Sequence, residues 1–536
     1  MSFFDDASLV FLPSGQAGKD GKAYSMKPTN GDGDFTFSRG SNLTATRIDS
    51  NGLIEKGREN LFKQSNNFNT TPWASSVTLT SGQSGYDGSN DAWLLTKTSS
   101  GAQSVYNYIN ETGLMTMSVH AKAGSTNWMR LTQGGKTAYF DLSGSGAVGT
   151  SSNGIDQTIT SVGNGWFRCT LTANKTTAGQ TPIYPYTAEG DASGSTDSIY
   201  IQDSQFEQGL VATEPILSGA STGLAGILED SPRFDYSGGA SCPSLLLEGS
   251  RTNEIGYSEY FEGWTPQGSP TITSNYGTSP EGLENSSRLV FTSVSDYIET
   301  SVTNTSGVFT LYAKGTGNLI LTDSGANASS TTALTSSYQR IELYFSTNTT
   351  TLQIKTDSSG LDAEVYAAQF ENDTYPTSYI PNHSGGSVTR EADSCLINPM
   401  STEYSTNYTF FGEFERIVSE DEESILMQLY DGNAAGTNQY RILNRSNAQL
   451  RTRIYFSSSN TSIISATDSF QLGQTIKWAV QYDSRAIKVF IDGAEIGDTS
   501  QMVGGIDVIS LQNMKVKQIL LFDSTLSDFE CITLTS

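Results

Sequence analysis

Carboxylates that recur along the chain are the first residues whose type and spacing could perform chemistry. Gln-Phe-Glu at 205–207 returns as Gln-Phe-Glu at 369–371, and a threonine follows each glutamate six residues later. Hydrolysis of a glycosidic bond needs two positioned carboxylates. Glu207 and Glu371 belong to separate repeats and follow Gln-Phe on apparent closing strands, which favours structural hydrogen bonding over catalysis.

A second carboxylate pair, Glu413 and Glu415, alternates with Phe414 on a predicted strand. Closely spaced acidic residues on one strand occur in glucanases, but ordinary alternation of surface residues explains the pair equally well. The sequence contains no phosphate-binding loop and no neighbouring Cys/His pair. We therefore expect no catalytic residues, no cofactor and no enzymatic activity.

Metal ligands are sparse in this sequence. The chain has only two histidines and four cysteines, and no two cysteines form a C-x-x-C pair. Zinc sites need several such ligands at short, fixed spacing. The loop 30–34 begins like a calcium loop but lacks the glutamate that an EF-hand requires. We predict no metal site, and we expect the cysteines to be buried free thiols: Cys169, Cys242, Cys395 and Cys531.

Aromatic residues near amides and carboxylates form the third set, and their chemistry is the binding of sugars. A pyranose stacks its C–H face on a ring, and its hydroxyls need hydrogen-bonding partners. Burial in the core is the alternative for each residue, and it is favoured for Trp73 and Trp264. The candidates for glycan binding are Trp128, Tyr184, Tyr186, Tyr257, Tyr260, Tyr430, Asp431, Asn433, Asn438 and Tyr440.

Composition limits the possible partners. The 536 residues include 31 basic and 56 acidic side chains, which give a formal net charge of −25. Phosphate recognition needs clustered Lys and Arg, so we expect no nucleic-acid partner. The N-terminus lacks the basic and long apolar segments of a signal peptide, and no apolar run approaches ~18 residues, so we expect no membrane insertion.

The elements that must position these residues are predicted to be β-strands. Short apolar or alternating segments recur between Gly-, Ser- and Asn-rich turns, and helical periodicity is nearly absent. The opening at 60–73 returns at 253–264, and a repeated segment predicts a repeated fold unit. We divide the chain into five parts. These are an N-terminal assembly and docking segment (1–59), a first module (60–217), a central linker packing with the N-terminal segment (218–252), a second module (253–390) and a C-terminal domain (391–536).

Two families resemble parts of this sequence. The segments 118–124 (Ser-Val-His-Ala-Lys-Ala-Gly), 163–169 (Gly-Asn-Gly-Trp-Phe-Arg-Cys) and 205–209 (Gln-Phe-Glu-Gln-Gly) resemble those of jelly-roll, carbohydrate-binding-like modules in bacteriophage structural proteins. Residues 394–536, through Trp-Ala-Val at 478–480 and Val-Phe-Ile-Asp-Gly at 489–493, resemble concanavalin A-like, laminin-G-type domains. The resemblance implies an all-β fold with tandem jelly-roll β-sandwiches and a concanavalin A-like β-sandwich.

The same resemblance implies a function. The motifs at 233–236 and 246–253 resemble linkers of phage head and tail fibre proteins. We therefore expect a non-enzymatic virion fibre, spike or decoration protein that is assembled in the host cytoplasm and exposed on the particle. Its partners would be other capsid or tail proteins, host-surface glycans and further copies of itself, as in trimeric fibres. The alternatives are a purely architectural decoration protein without sugar binding and a polysaccharide depolymerase.

Overall fold

The computed structural model describes most of the chain and shows an all-β fold of tandem jelly-roll sandwiches followed by a concanavalin A-like sandwich. Within the described residues, no helix is long and apolar enough to cross a membrane. We call residues 60–217 module 1 and residues 253–390 module 2. The described residues are 2–14, 21–40, 43–152, 154–397, 406–418, 424–430, 439–444, 449–455, 461–469, 471–484, 486–499 and 506–536.

The N-terminal segment supplies short strands to other parts of the molecule. Its elements are α1 (Phe3–Asp6), β1 (Leu9–Phe11), β2 (Lys22–Ala23), β3 (Phe35–Ser38), β4 (Thr46–Ile48), β5 (Ile54–Lys56) and β6 (Arg58–Asn60). Asn51-Gly52, a dipeptide that favours hairpin turns, lies in the turn between β4 and β5, which pair with each other, and Gly52 has a positive φ of 80°.

Module 1 is a sandwich of two six-stranded antiparallel sheets. Its strands are β7 (Ala74–Ser75), β8 (Thr78–Gln83), β9 (Ala92–Thr96), β10 (Val105–Ile109), β11 (Gly113–Ala123), β12 (Trp128–Gln133), β13 (Lys136–Asp141), β14 (Ala147–Ser152), β15 (Asp156–Gly163), β16 (Trp166–Lys175), β17 (Gly179–Tyr186) and β18 (Ser198–Gln208). The sheet orders are β14-β13-β12-β17-β10-β7 and β15-β16-β11-β18-β9-β8. Alternate residues of β11, among them Met115, Met117 and Val119, fill the core between the sheets.

Module 2 repeats this plan with fewer, longer strands. The linker before it holds β19 (Gly223–Ala225), β20 (Arg233–Asp235), β21 (Ser244–Leu247) and β22 (Arg251–Asn253), and module 2 holds β23 (Thr265–Gln267), β24 (Thr271–Gly277), β25 (Ser286–Phe291), β26 (Tyr297–Asp323), β27 (Ser329–Ala333), β28 (Gln339–Glu371) and β29 (Val388–Arg390). The counterparts of β10, β11 and β12 run together as β26, and those of β16, β17 and β18 run together as β28. Trp73 and Trp264 lie in the two cores, as predicted.

Both modules close with the same buried hydrogen bonds, which we call the clasp. In module 1, Glu207 accepts bonds from the Thr213 N–H (2.9 Å) and from Gln205 Nε2 (2.5 Å). In module 2, Glu371 accepts bonds from the Thr377 N–H (2.9 Å) and from Gln369 Nε2 (2.7 Å). The opening asparagines also correspond: Asn60 donates to the Ile216 carbonyl at 2.7 Å, and Asn253 donates to the Ile380 carbonyl at 3.0 Å.

The C-terminal sandwich draws strands from three parts of the chain. Its own elements are β30 (Ser394–Ile397), β31 (Tyr408–Arg416), β32 (Ser424–Tyr430), β33 (Gln439–Asn444), β34 (Gln449–Tyr455), β35 (Thr461–Ser469), β36 (Thr475–Asp483), β37 (Ala486–Ile491), β38 (Ala494–Thr499), β39 (Val508–Leu511), β40 (Met514–Phe522) and α2 (Asp528–Thr535). The sheet orders are β20-β21-β40-β31-β36-β37-β38, with β1 also on β40, and β2-β3-β30-β39-β32-β33-β34-β35.

This arrangement corrects the division at residue 391 and the view of residues 1–59 as a separate docking segment. β1, β2, β3, β20 and β21 complete the C-terminal sheets, so the N-terminal segment and the linker belong to that sandwich in space. Their apolar residues, including Phe11, Phe35 and Leu245, lie in the same core as Trp478. Burial of these side chains stabilises the sandwich, so its fold depends on strands that are distant in sequence.

Buried ion pairs join the linker to the last strand of module 2, and the N-terminal segment to the residues that follow that strand. Glu248 lies 2.7 Å from Arg233 Nη1 and 3.1 Å from Arg390 Nη1, and Arg39 Nη1 lies 3.1 Å from Asp393. All three guanidinium groups are buried with carboxylate partners, so removal of one partner would leave an uncompensated charge. The predicted linker motifs around 233 and 248 therefore act as an internal junction.

Candidate functional site: an aromatic face on module 1

Three adjacent strands of module 1 present aromatic residues on the side of the sheet that points away from the core. On β12, Met129 and Leu131 point into the core, while the intervening Arg130 and the preceding Trp128 point outward. The same alternation on β17 buries Ile183 in the core. We call the outward group the aromatic face: Trp128 and Arg130 of β12, Tyr139 of β13, and Tyr184 and Tyr186 of β17.

The strand register brings these side chains into contact. Arg130 stands opposite Tyr184 and Tyr139 on its two neighbouring strands, and Trp128 stands opposite Tyr186. The guanidinium carbon of Arg130 lies 4.0 Å from the Tyr184 ring centre and 4.8 Å from that of Tyr186. These distances are cation–π contacts, which hold the guanidinium against the rings.

The tyrosine rings also pack edge-to-face among themselves. The ring centres of Tyr184 and Tyr186 are 6.0 Å apart at 88°, and those of Tyr139 and Tyr186 are 5.4 Å apart at 71°. Tyr186 is only 4% exposed, whereas Trp128, Tyr139 and Tyr184 are half-buried. Burial raises the pKa of Tyr186 to about 12, so its hydroxyl is neutral near pH 7. The face therefore combines fixed ring surfaces with neutral hydroxyls and one cation.

Strand β14 supports one edge of the aromatic face. A Cβ at Gly149 would lie 2.9 Å from Trp128 Cζ3 and 3.0 Å from the Cβ of Tyr139, so glycine permits this close approach. Glu189 accepts a hydrogen bond from the Thr150 N–H at 2.5 Å. This backbone hydrogen bond lowers the pKa of Glu189, and the carboxylate stays ionised at the rim of the face.

Module 2 places different residues at the corresponding positions. The pairing of β26 with β28 aligns Asn318, Ile320, Lys355 and Asp357 with Trp128, Arg130, Tyr184 and Tyr186. There, Asn318 donates a hydrogen bond to Asp357 at 2.5 Å. Lys355 Nζ lies 4.3 Å from the ring centre of Tyr297, so module 2 keeps one cation–π contact here but lacks the cluster of rings around an arginine.

Tyr257, Tyr260 and Tyr430 lie outside this face. Tyr257 accepts a hydrogen bond from Asn174 Nδ2 at 3.0 Å, which ties module 2 to module 1. Tyr260 is half-buried beside the turn Phe261–Gly263, and Tyr430 is half-buried at the end of β32. The backbone of Tyr440 lies in β33, and Asp431, Asn433 and Asn438 lie outside the described residues.

The structure adds Arg130 and Tyr139 to the site. Both belong to strands that the sequence pattern had located, and Arg130 follows Trp128 by two residues, which is the spacing of one strand face. Tyr139 comes from another strand, so only the β12–β13 register reveals its position. Trp128, Tyr184 and Tyr186 of the face were among the predicted glycan-binding residues, and their role in binding stays a prediction.

Three of the four carboxylates considered for catalysis, Glu207, Glu371 and Glu415, have structural partners. Glu207 and Glu371 are buried in the clasps. Glu415 lies 3.9 Å from both Lys515 and Lys517. Among the described residues, no group of three or more His, Cys, Asp or Glu side chains is arranged to hold a metal ion.

Two further features resemble functional sites but lack the arrangement of groups that a functional site needs. Residues 219–223 read Gly-Ala-Ser-Thr-Gly, the G-x-S-x-G pattern, yet they lead into β19 instead of the helix that follows a nucleophile elbow. A cavity of about 270 Å³ lies where β4, β5, the linker, module 2 and the C-terminal sandwich meet. Its charged lining residues include Lys515 and Asp235, which pair at 3.0 Å, and Arg47, which pairs with Glu55 of β5 at 2.7 Å.

Cys169, Cys395 and Cys531 are buried free thiols, as predicted, but the prediction was wrong for Cys242, which is exposed. Cys242 lies in the turn between β20 and β21, where Gly and Ser residues leave no apolar cover over the thiol. Its exposure follows from that loop position and not from any partner in the described structure.

Comparisons with known proteins give likenesses of low identity. No family model matches the chain, and no curated protein matches it. Similar solved structures include the CBM40 of Ruminococcus gnavus IT-sialidase (TM-score 0.22, 13% identity, 25% of this chain and 84% of that one). Others are a Limulus polyphemus SAP-like pentraxin (0.21, 11%, 25% and 70%) and the botulinum neurotoxin serotype D binding domain (0.24, 8%, 27% and 40%). These likenesses assign no activity to this chain.

Proposed function

We propose that this protein is a non-enzymatic glycan-binding protein and that the aromatic face of module 1 is its carbohydrate platform. The observation that carries the proposal is the arrangement of Trp128, Tyr139 and Tyr184 as half-buried rings on one sheet face around Arg130. Ring faces held by neighbouring strands stack on the C–H faces of a pyranose at little cost in conformational entropy. The rim carboxylate and the tyrosine hydroxyls supply partners for sugar hydroxyls.

The wider role that we propose is attachment of a virion to a host surface. The resemblance of both modules and of the linker to bacteriophage fibre and decoration proteins supports this role. A flat platform binds a single sugar weakly, and display of many copies on one particle would raise the avidity. Glu207 and Glu371, the carboxylate pair that recurs in both modules, are held in structural hydrogen bonds, which supports a binding role over depolymerisation.

The test is binding of the intact protein to an array of bacterial polysaccharides, followed by calorimetry on the bound glycan. Tyr184→Ala removes a ring that contacts Arg130, and we expect the affinity to fall roughly 30-fold, the loss typical of a central aromatic contact. Lys355→Ala is the matched control, because Lys355 occupies the same position in module 2. The glycan affinity of the Lys355→Ala variant should equal that of the unmodified protein.

Two outcomes would contradict the proposal. A blank array would favour the purely architectural role, in which the modules bind no sugar. Equal losses in Tyr184→Ala and Lys355→Ala would place binding elsewhere. A fall in polysaccharide viscosity on incubation with the protein would overturn the non-enzymatic part and favour a depolymerase.

A further inference from the structure

We propose that the aromatic face selects acidic sugars and that Arg130 binds the carboxylate of the ligand. This inference rests on the proposed glycan-binding function and adds the chemical class of the ligand. The Arg130 guanidinium contacts the rings of Tyr184 and Tyr186 and not a carboxylate. Among the described residues, no carboxylate lies within ion-pair distance of its guanidinium.

A second arginine in this protein also contacts a tyrosine ring, but its charge is neutralised by a carboxylate. Arg288 of module 2 also stacks on a tyrosine, at 4.7 Å from the Tyr276 ring centre. Arg288, however, forms a two-pronged pair with Asp362, with Nε–Oδ1 at 2.7 Å and Nη2–Oδ2 at 2.6 Å. Arg130 has the same ring contact without the carboxylate, so its guanidinium keeps the charge that Asp362 neutralises in module 2.

The geometry of Arg130 suits a carboxylate from outside the protein. Contacts with the Tyr184 and Tyr186 rings hold the guanidinium in place, and a positioned guanidinium fork matches a carboxylate with two parallel hydrogen bonds. Sugar carboxyl groups project from the ring edge, so a pyranose stacked on Trp128 or Tyr184 brings that group to the guanidinium. Neutral sugars would use the rings but leave the charge unpaired.

The charge of the whole chain makes this cation a selective element. The net charge of −25 disfavours the approach of anionic ligands in general. Two acidic residues border the face, and each already has a backbone partner. The Ser143 N–H donates to Asp141 Oδ1 at 3.0 Å, and the Thr150 N–H donates to Glu189 Oε1 at 2.5 Å. An acidic sugar therefore gains its main charge interaction at Arg130.

The experiment compares uronic acid-containing bacterial polysaccharides with the same polysaccharides after chemical reduction of their carboxyl groups. The unmodified protein should bind the native forms at least tenfold more tightly, and this preference should shrink as salt is raised. Arg130→Gln should lower binding of the native form to that of the reduced form. Arg288→Gln, the matched control, should leave the preference unchanged.

The outcomes separate this inference from the proposed function. Equal binding of native and reduced forms would overturn the role of Arg130 and leave the carbohydrate platform standing. Binding of neither form would overturn both. The comparison of native with reduced polysaccharide uses the unmodified protein, so the test does not depend on the folding of Arg130→Gln, and Arg130→Lys separates charge from the two-pronged geometry.

Discussion

Module 1 and module 2 share their closing hydrogen bonds and differ on the sheet faces that point away from the core. Glu207 and Glu371 accept equivalent bonds, yet Trp128 and Tyr184 of one copy correspond to Asn318 and Lys355 of the other. Loss of a buried partner costs about 1–3 kcal/mol for each unpaired group, whereas an exchange on an exposed face costs little. The fold and the proposed ligand surface therefore depend on separate sets of residues.

The two modules also differ in what covers them. Module 1 has the extra strands β14 and β15, and β14 supports the aromatic face at Gly149. On module 2, the hairpin β4–β5 packs Ile54 against Tyr366 and Tyr379 and hydrogen-bonds the Pro280 carbonyl at 2.9 Å. Module 1 therefore carries an additional edge strand on each of its sheets, whereas module 2 serves as a contact surface for the β4–β5 hairpin.

The largest expected effect tests whether the two clasps are equivalent. Glu207→Ala and Glu371→Ala would each leave a buried threonine N–H without its side-chain acceptor and would remove one acceptor of a buried glutamine amide. We expect each substitution to destabilise its own module by about 3 kcal/mol, with the two losses alike. Hydrogen exchange at the Thr213 and Thr377 amides measures the effect locally. A large loss in only one module would show that the clasps are not equivalent.

The next effect is a response to pH that has opposite signs in the two modules. In module 1, burial raises the pKa of Asp203 to about 6, and Tyr86 donates to it at 2.9 Å. In module 2, burial disfavours the carboxylate of Glu259, but the nearby Lys56 ammonium, at 2.7 Å, outweighs this and the pKa falls to about 2. The folded state therefore holds the Asp203 proton more tightly, and the Glu259 proton less tightly, than the unfolded chain does.

As the pH falls from 6 to 4, the stability of module 1 should rise and that of module 2 should fall. Each change should be on the order of 1 kcal/mol after allowance for solvent screening at Asp203. Calorimetric unfolding at pH 6, 5 and 4 measures both changes. Asp203→Asn and Glu259→Gln should each flatten the response of their own module, and parallel shifts of both transitions would contradict the comparison.

The smallest expected effect concerns the support of the aromatic face by β14. Gly149→Ala would place a methyl group 2.9 Å from Trp128 Cζ3 and displace that ring. We expect glycan affinity to fall about fivefold, because an off-rotamer side chain costs about 1 kcal/mol. Gly179→Ala, on β17 of the same sheet with no atom within 4 Å of its Cβ position, should bind normally. Equal glycan affinities of the two variants would show that β14 does not support the aromatic face.

Local signals in the sequence were reliable where a few neighbouring residues set the geometry. Asp492-Gly493 turns between β37 and β38 with positive φ at both residues, as its hairpin pattern predicts. Ser527 caps α2 and exchanges hydrogen bonds with Glu530, as the pattern of a serine followed three residues later by a glutamate predicts. The repeated Gln-Phe-Glu segments identified the clasps because each one contains its own donor and acceptor.

Features that depend on the pairing of strands far apart in the sequence were not predicted. Leu9 pairs with Leu521, so the first strand of the chain belongs to the same sheet as the last, and no local pattern indicates this. The pairing of Arg130 with Tyr139 and Tyr184 likewise depends on the register of β12 between β13 and β17. A shift of one residue in that register would turn these side chains into the core.

The sequence by itself determined the all-β class, the duplicated unit and the turns, because alternation and turn propensity act over a few residues. Tertiary structure alone decided which strands became neighbours, and hence that rings from three strands surround one arginine on a single face. Strand alternation assigns each side chain to one of two faces, but only the pairing of the strands brings five such side chains together.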